Sequence, residues 1–130
     1  MTKPRILVVE DDPIHASRAD MLLDKLGYEL VGIASNAEEA IKLYIATKPE
    51  LVMMDINLSD KKDGIEVAEK INSINPAPII FTTSFTDDQT FQRAKSTEPY
   101  AYLTKPLDQQ ELKRSIELAI SNFAKSTLRE

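Results

Sequence analysis

Carboxylate, hydroxyl and amine side chains stand at the ends of four of the five short apolar runs in this chain. They are Glu10 and Asp11 after the first run, Asp55 after the third, Thr83 after the fourth and Lys105 after the fifth. Groups of these types can bind a metal ion, accept a phosphoryl group or neutralise its charge. Whether they act together depends on whether the fold brings them to one place.

The carboxylates of Glu10, Asp11 and Asp55 would repel one another at close range unless a cation neutralised them. The chain has no cysteine and a single histidine, so a cation there would be bound by oxygen atoms. Oxygen ligands favour hard cations, and Mg²⁺ is the natural choice because it keeps some waters and leaves room for a phosphate oxygen. Lys105 adds a mobile positive charge, and the Thr83 hydroxyl can donate to a phosphoryl oxygen. Asp55 is then the candidate nucleophile.

Short β-branched runs alternate with amphipathic stretches along the chain. The runs are residues 6–9, 30–33, 51–54, 78–82 and 101–104. Strands that alternate with helices form βαβ units with parallel strands and right-handed crossovers. The pattern predicts an α/β protein, a flavodoxin-like (βα)5 doubly wound parallel sheet in a single domain. Because ligands bind beyond the carboxyl ends of such strands, we expect the polar groups to meet at one edge of the sheet.

Several motifs, in their order along the chain, resemble those of response-regulator receiver domains of bacterial two-component systems. They are residues 6–12, residues 54–58, Asp63-Gly64, Thr83-Ser84 and residues 102–106. The resemblance covers nearly the whole chain and implies a CheY-like phosphoacceptor domain of a phosphorelay. It implies a signalling switch that catalyses only its own phosphorylation and dephosphorylation, and not an enzyme that turns over a separate substrate.

The resemblance assigns the metal ligands and the phosphoacceptor. Asp55 matches the phosphoacceptor and is also a ligand of Mg²⁺. Asp11 matches a direct ligand, Glu10 a ligand through water, and Asn57 the residue whose backbone carbonyl binds the ion. Asp12 falls one place beyond the acidic pair, so it is a weak candidate for a further ligand.

The resemblance also assigns a switch. Thr83 matches the switch hydroxyl, Lys105 the lysine that pairs with the phosphate, and Tyr102 an aromatic side chain that swings inward as Thr83 moves. A cis bond between Lys105 and Pro106 is implied as well. The chain departs from the family pattern in the loop of residues 59–62, at Glu98-Pro99 and at Phe85, whose bulk could shield the phosphoryl group from water.

Partners and domain limits are implied in the same way. The phosphoryl donor would be a sensor histidine kinase or a phosphotransfer protein, and the fourth helix, fifth strand and fifth helix would form a homodimer face. We expect a receiver domain over residues 1–125 and a C-terminal tail over residues 126–130. The tail is either a natural end or the start of a linker to an effector domain, which in a transcriptional regulator would bind DNA.

Composition excludes several classes of protein. The formal net charge of −5 argues against direct nucleic-acid binding by this segment, because an acidic surface repels phosphates. The sequence contains neither a signal peptide nor an apolar run long enough for a membrane span, and a cytoplasmic location is expected. His15 has no second histidine to join it in a metal site, and we expect it to be an exposed helix residue.

Two other functions compete with the switch. A magnesium-dependent phosphohydrolase with an aspartyl-phosphate intermediate would need a second acid two residues after its nucleophile, where this chain has Asn57. A degenerate receiver that serves only as a docking module would have no reason to keep all the acids together with Thr83 and Lys105. Residue by residue, each acid could also be an ordinary helix cap or turn residue, and Tyr102 a packed strand residue.

Overall fold

Strands and helices alternate along the chain as the sequence pattern predicts. The structure is a computed structural model that describes residues 3–58, 63–84 and 87–128. The strands are β1 (Arg5–Val9), β2 (Glu29–Ala34), β3 (Leu51–Asp55), β4 (Ile79–Thr83) and β5 (Ala101–Thr104). The helices are α1 (Pro13–Leu26), α2 (Ala37–Thr47), α3 (Gly64–Ile74), α4 (Asp88–Lys95) and α5 (Gln109–Leu128). The loop of residues 59–62 and Phe85 lie outside the described residues.

All the strand pairs in the sheet are parallel, and the strand order is β2-β1-β3-β4-β5. This is the strand order of the doubly wound, flavodoxin-like fold. The chain leaves β1 towards β2 on one side and then crosses back to β3 on the other side. The carboxyl ends of β1 and β3 therefore flank the crevice where the winding direction reverses, which is where ligands bind in this architecture.

Strand residues alternate between two hydrophobic cores, one on each face of the sheet. In β1, Leu7 and Val9 join the core formed with α2, α3 and α4, whereas Ile6 and Val8 join the core formed with α1 and α5. Both faces are covered, which explains why the strands read as continuous apolar runs. Within the described residues, no helix has both the length and the apolar character needed to cross a bilayer.

Side-chain caps fix where the helices next to the crevice begin. Asp12 accepts a hydrogen bond from the N–H of Ile14 over 2.8 Å and caps α1, with Pro13 in the first turn. Asp63 caps α3 in a reciprocal capping box with Glu66. Both caps satisfy backbone N–H groups that a helix leaves unpaired at its start. They also fix the direction in which the chain leaves β1 and enters α3.

Gly64 permits a very close approach between the start of α3 and the end of β3. Its N–H donates to the carbonyl of Ile56 over 3.0 Å. A Cβ atom at this position would lie 2.0 Å from the backbone oxygen of Asp55 and 2.9 Å from the Cα of Ile56. Real Cβ atoms do not come this near to backbone. Only glycine therefore lets α3 support the strand end that carries Asp55.

Glu98 has a left-handed backbone conformation, with φ of 56°. A non-glycine residue adopts this region at some cost, because its Cβ crowds the neighbouring carbonyl. Glycine fits this conformation best, and the departure of the chain from the family pattern at Glu98-Pro99 places a glutamate there.

We predict that Gly64→Ala destabilises the domain by about 2–4 kcal/mol, because the new methyl group displaces backbone at the end of β3. The free energy of unfolding, measured by urea titration, tests this. Gly32→Ala is the matched control, since its Cβ would meet only side chains, Leu43 at 3.2 Å and Leu7 at 3.7 Å, and these can shift. Equal losses in the two variants would contradict the account of Gly64.

Candidate functional site

Three carboxylates converge at the carboxyl ends of β1 and β3. Ligand oxygens of Glu10, Asp11 and Asp55 all lie within 4.8 Å of one another. Glu10 is 6% exposed and Asp55 is 2% exposed, whereas Asp11 is half-buried and reaches the crevice. The fold therefore brings together the acids that the sequence places after two separate strands.

Lys105 extends into this cluster from the loop after β5. Its ammonium forms a short ion pair with Glu10 Oε1 and lies 3.3 Å from Asp55 Oδ1. Its side chain is 8% exposed, so the attraction acts with little screening by water. The backbone N–H of Lys105 donates to the carbonyl of Thr83 over 2.8 Å, and the bond to Pro106 is cis, as expected.

Burial changes the acidity of Glu10. It raises the pKa of this carboxyl to about 7, and although Lys105 opposes the rise, the nearby Asp55 carboxylate adds to it. A buried carboxylate loses its hydration, and this loss favours the neutral carboxylic acid over the charged form. The pKa of Glu10 is therefore raised mainly by burial, and the charge of Lys105 does not cancel that effect.

Asn57 links the acid cluster to Thr83. Its backbone N–H donates to Asp55 Oδ1 over 3.1 Å, and its side-chain oxygen accepts a hydrogen bond from the Thr83 hydroxyl over 2.7 Å. Thr83 is fully buried at the end of β4. The sequence predicted a role only for the backbone of Asn57, because no pattern along the chain shows that its amide faces a residue on another strand.

Tyr102 lies on β5 and is half-buried. Its ring packs edge-on against Phe91 of α4, with ring centroids 5.1 Å apart, and also against the core beneath α2 and α3. Its hydroxyl is buried and finds no hydrogen-bond partner among the described residues. Burial, with a smaller contribution from Asp87, raises the pKa of this phenol. The ring therefore connects β5 to α4 next to the site.

His15 is not the exposed residue that the sequence suggested, and that expectation was wrong. It is half-buried in the first turn of α1, where its Nδ1 lies 3.2 Å from the ammonium of Lys105. Asp12, the weak candidate for a further metal ligand, uses its carboxylate to cap α1. Both residues follow the acidic pair closely, and the direction of α1 decides which way they face.

The site is an open crevice with a volume of about 470 Å³. It is lined by Glu10, Asp11, Asp12, Pro13, His15, Asp55, Asn57, Ser84 and Lys105. The three clustered acids offer only oxygen ligands, which suits a hard divalent cation. The space beside them can also hold a phosphoryl group, with Lys105 within reach of its oxygens.

Comparison with known proteins identifies the family. The model of the response regulator receiver domain matches residues 6–117. The chain is a receiver domain of a two-component response regulator. The receiver domain matches the transcriptional regulatory protein PdtaR of Mycobacterium tuberculosis with 39% identity over 97% of its own length and 61% of that of PdtaR. It matches the transcriptional regulatory protein ZraR of Escherichia coli with 32% identity over 90% of its length and 26% of that of ZraR.

A solved structure supports the same assignment. The signal receiver domain of a modulated diguanylate cyclase from Desulfovibrio desulfuricans is 40% identical, with a TM-score of 0.89, and the match covers 99% of this chain and 100% of that one. The flavodoxin-like fold predicted from the sequence is thereby confirmed. The receiver domain spans about three fifths of PdtaR and about a quarter of ZraR, so these relatives contain further segments.

We predict that the stability of the metal-free receiver domain falls, relative to the Glu10→Gln variant, as the pH rises from 4.5 towards 7. Glu10 has a raised pKa in the folded state, so the folded chain binds more protons than the unfolded chain in this window. The difference is on the order of 3 kcal/mol at neutral pH. Urea titrations of both proteins in EDTA across this range measure it, and parallel stability curves would contradict the assignment.

Proposed function

We propose that this receiver domain is a switch that accepts a phosphoryl group on Asp55 in a reaction that requires Mg²⁺. The observation that carries the proposal is the meeting of Glu10, Asp11 and Asp55 within 4.8 Å, with the ammonium of Lys105 3.3 Å from Asp55 Oδ1. A carboxylate held among metal ligands and beside a fixed positive charge is suited to attack phosphorus and to keep the product.

In the transfer step, a carboxylate oxygen of Asp55 forms a bond to phosphorus while the bond from phosphorus to the donor breaks. With a phosphohistidine donor, the leaving imidazole keeps the electron pair and takes up a proton from solvent. Lys105 stabilises the negative charge on the transferring group, and Asp55 is oriented by the N–H of Asn57 over 3.1 Å. The work of the protein is positioning and charge stabilisation.

Magnesium would be held by Glu10, Asp11, Asp55 and the backbone carbonyl of Asn57, with Glu10 acting through water. When bound, the ion neutralises charge on the acids and on the phosphoryl oxygens. The all-oxygen donor set and the tight spacing of the acids support this choice over zinc, which binds nitrogen and sulfur ligands in most sites.

Thr83 and Tyr102 would carry the signal away from Asp55. In the unphosphorylated chain, the Thr83 hydroxyl donates to the side chain of Asn57 over 2.7 Å. A phosphoryl oxygen on Asp55 would compete for this donor and draw Thr83 towards the site. Tyr102 would then turn inward and change its edge-on contact with Phe91 on α4. The phosphoryl group thus shifts an equilibrium between two arrangements of one surface.

The donor would be a sensor histidine kinase or a phosphotransfer protein, and the surface of α4, β5 and α5 would form a homodimer or bind an effector. Exposed apolar side chains support an interface on this surface, since Phe91 is 39% and Leu118 is 60% exposed. PdtaR and ZraR are named as transcriptional regulatory proteins, which favours a transcriptional output. The net charge of −5 argues against direct nucleic-acid contact by this domain.

A phosphohydrolase remains the weaker alternative. Such an enzyme needs an acid that protonates the leaving group close to the nucleophile. Position 57 holds an amide, and its side-chain oxygen already accepts from Thr83. The arrangement therefore favours retention of the phosphoryl group over rapid turnover.

We predict that incubation with acetyl phosphate and Mg²⁺ yields one acid-stable, base-labile acyl phosphate per chain. Asp55→Ala removes the nucleophile and should abolish it, and EDTA should block it, because the acids then lack their neutralising cation. Phosphate-affinity gels and intact mass spectrometry measure the product. Asp20→Ala, at an exposed position on α1, is the control and should be phosphorylated normally. Wild-type phosphorylation of Asp55→Ala would refute the proposal.

We predict that Lys105→Met still folds and accepts phosphate slowly, but loses the conformational response. The variant lacks the charge that joins the phosphoryl group to the end of β5, so Tyr102 and α4 should stay in the resting arrangement. Amide chemical shifts of β5 and α4, recorded with and without beryllofluoride, measure the response. Shifts as large as those of the wild type would contradict the role of Lys105.

A further inference from the structure

His15 contacts the lysine of the site, although neither the family motifs nor the proposed reaction uses it. It is the third residue of α1, and Nδ1 of its ring lies 3.2 Å from Nζ of Lys105. The same ring nitrogen lies farther from the neighbouring acids, 3.9 Å from Glu10 Oε1 and 3.7 Å from Asp12 Oδ2. Its nearest polar neighbour among these three is therefore the ammonium.

The chemistry of this contact fixes the role of the ring. An ammonium has three N–H donors and no acceptor. A ring nitrogen that binds it must therefore offer its lone pair, which puts the ring proton on Nε2. Glu10, Asp55 and His15 together then provide one polar partner for each N–H of Lys105.

The backbone that carries Lys105 is tied to the helix that carries His15. One turn beyond His15, the guanidinium of Arg18 donates to the carbonyl of Leu107 over 2.8 Å. A second bond, from the N–H of Lys105 to the carbonyl of Thr83 over 2.8 Å, fixes the loop to β4. The backbone that carries Lys105 is thus held next to α1, within reach of the His15 side chain.

The Lys105 side chain is not packed on all sides. A largely apolar pocket of about 40 Å³ adjoins it, with walls that include Val8, Ala19, Met53 and Leu107 together with Glu10 and His15. Atoms that face a void lose contacts on that side, so a flexible stem beside it can adopt more than one arrangement. The polar partners of the ammonium therefore decide where its charge lies.

We propose that His15 is a positioning residue that holds the ammonium of Lys105 in the crevice during phosphoryl transfer. This inference rests on the proposed function. Glu10 and Asp55 are also the residues assigned to metal binding and phosphoryl uptake, so their oxygens are shared during the reaction. His15 is assigned to neither metal binding nor phosphoryl uptake. Its contact with Lys105 is therefore kept while Glu10 and Asp55 exchange theirs for the metal and the phosphoryl group.

The test measures the rate constant for phosphorylation by acetyl phosphate at saturating Mg²⁺ and the affinity for beryllofluoride. His15→Leu removes the acceptor and should lower both by about tenfold, the effect of losing one hydrogen bond to a charged group. His15→Asn keeps an acceptor near the position of Nδ1 and should restore both to within about threefold of wild type. Ser17→Ala, at an exposed position on the same helix, is the control.

A double-mutant cycle separates positioning from a structural effect. In a Lys105→Met background there is no ammonium to hold, so His15→Leu should change neither quantity by more than about twofold. An equal loss in both backgrounds, or a failure of Asn to restore activity, would overturn the inference. So would wild-type rates in His15→Leu while Asp55→Ala is inactive, a result that leaves the proposed function standing. A wild-type chain that takes up no phosphoryl group would overturn both.

Discussion

The site depends on one electrostatic constraint: three carboxylates, two of them buried, share one crevice with a single ammonium. If all are ionised, three negative charges and one positive charge leave two negative charges uncompensated. Removing charged groups from water costs several kcal/mol per ion unless partners compensate the loss. Burial raises the pKa of Glu10 to about 7, and the neighbouring Asp55 adds to the rise. A divalent cation would supply the two charges that are missing, which is why the site and its ion have to be considered together.

The rest of the fold can be understood as support for that crowded crevice. The parallel sheet places the acids at the ends of β1 and β3 at the same edge. The helices on both faces of the sheet bury the strands that carry these acids. Gly64 lets α3 approach the backbone of Asp55 more closely than any other residue would allow. Hydrogen bonds of Asn57 complete the site, since its backbone N–H donates to Asp55 and its side-chain oxygen accepts from Thr83. One residue therefore contacts both the carboxylate at the end of β3 and the hydroxyl at the end of β4.

Local patterns in the sequence predict the strands, the helices and the acids at the strand ends, because each depends on neighbours along the chain. Asp55 and Lys105 could be assigned because each directly follows an apolar run. His15 could not, since its direction depends on how α1 packs beside the loop after β5. The side chain of Asn57 was missed for the same reason, as its partner lies 26 residues away on another strand. The spacing of Asn36 and Glu39 predicts a capping box, and Asn36 does cap α2, but the Glu39 carboxylate accepts from the N–H and hydroxyl of Ser35, one residue earlier.

The hydrogen bond between the N–H of Lys105 and the carbonyl of Thr83 joins the last residue of β4 to the first residue after β5. The two side chains that would contact phosphoryl oxygens are thereby joined through their main chains over a single 2.8 Å bond. Arg18 continues this connection from Leu107 to α1, so a displacement that starts at the hydroxyl would be felt on the opposite face of the sheet.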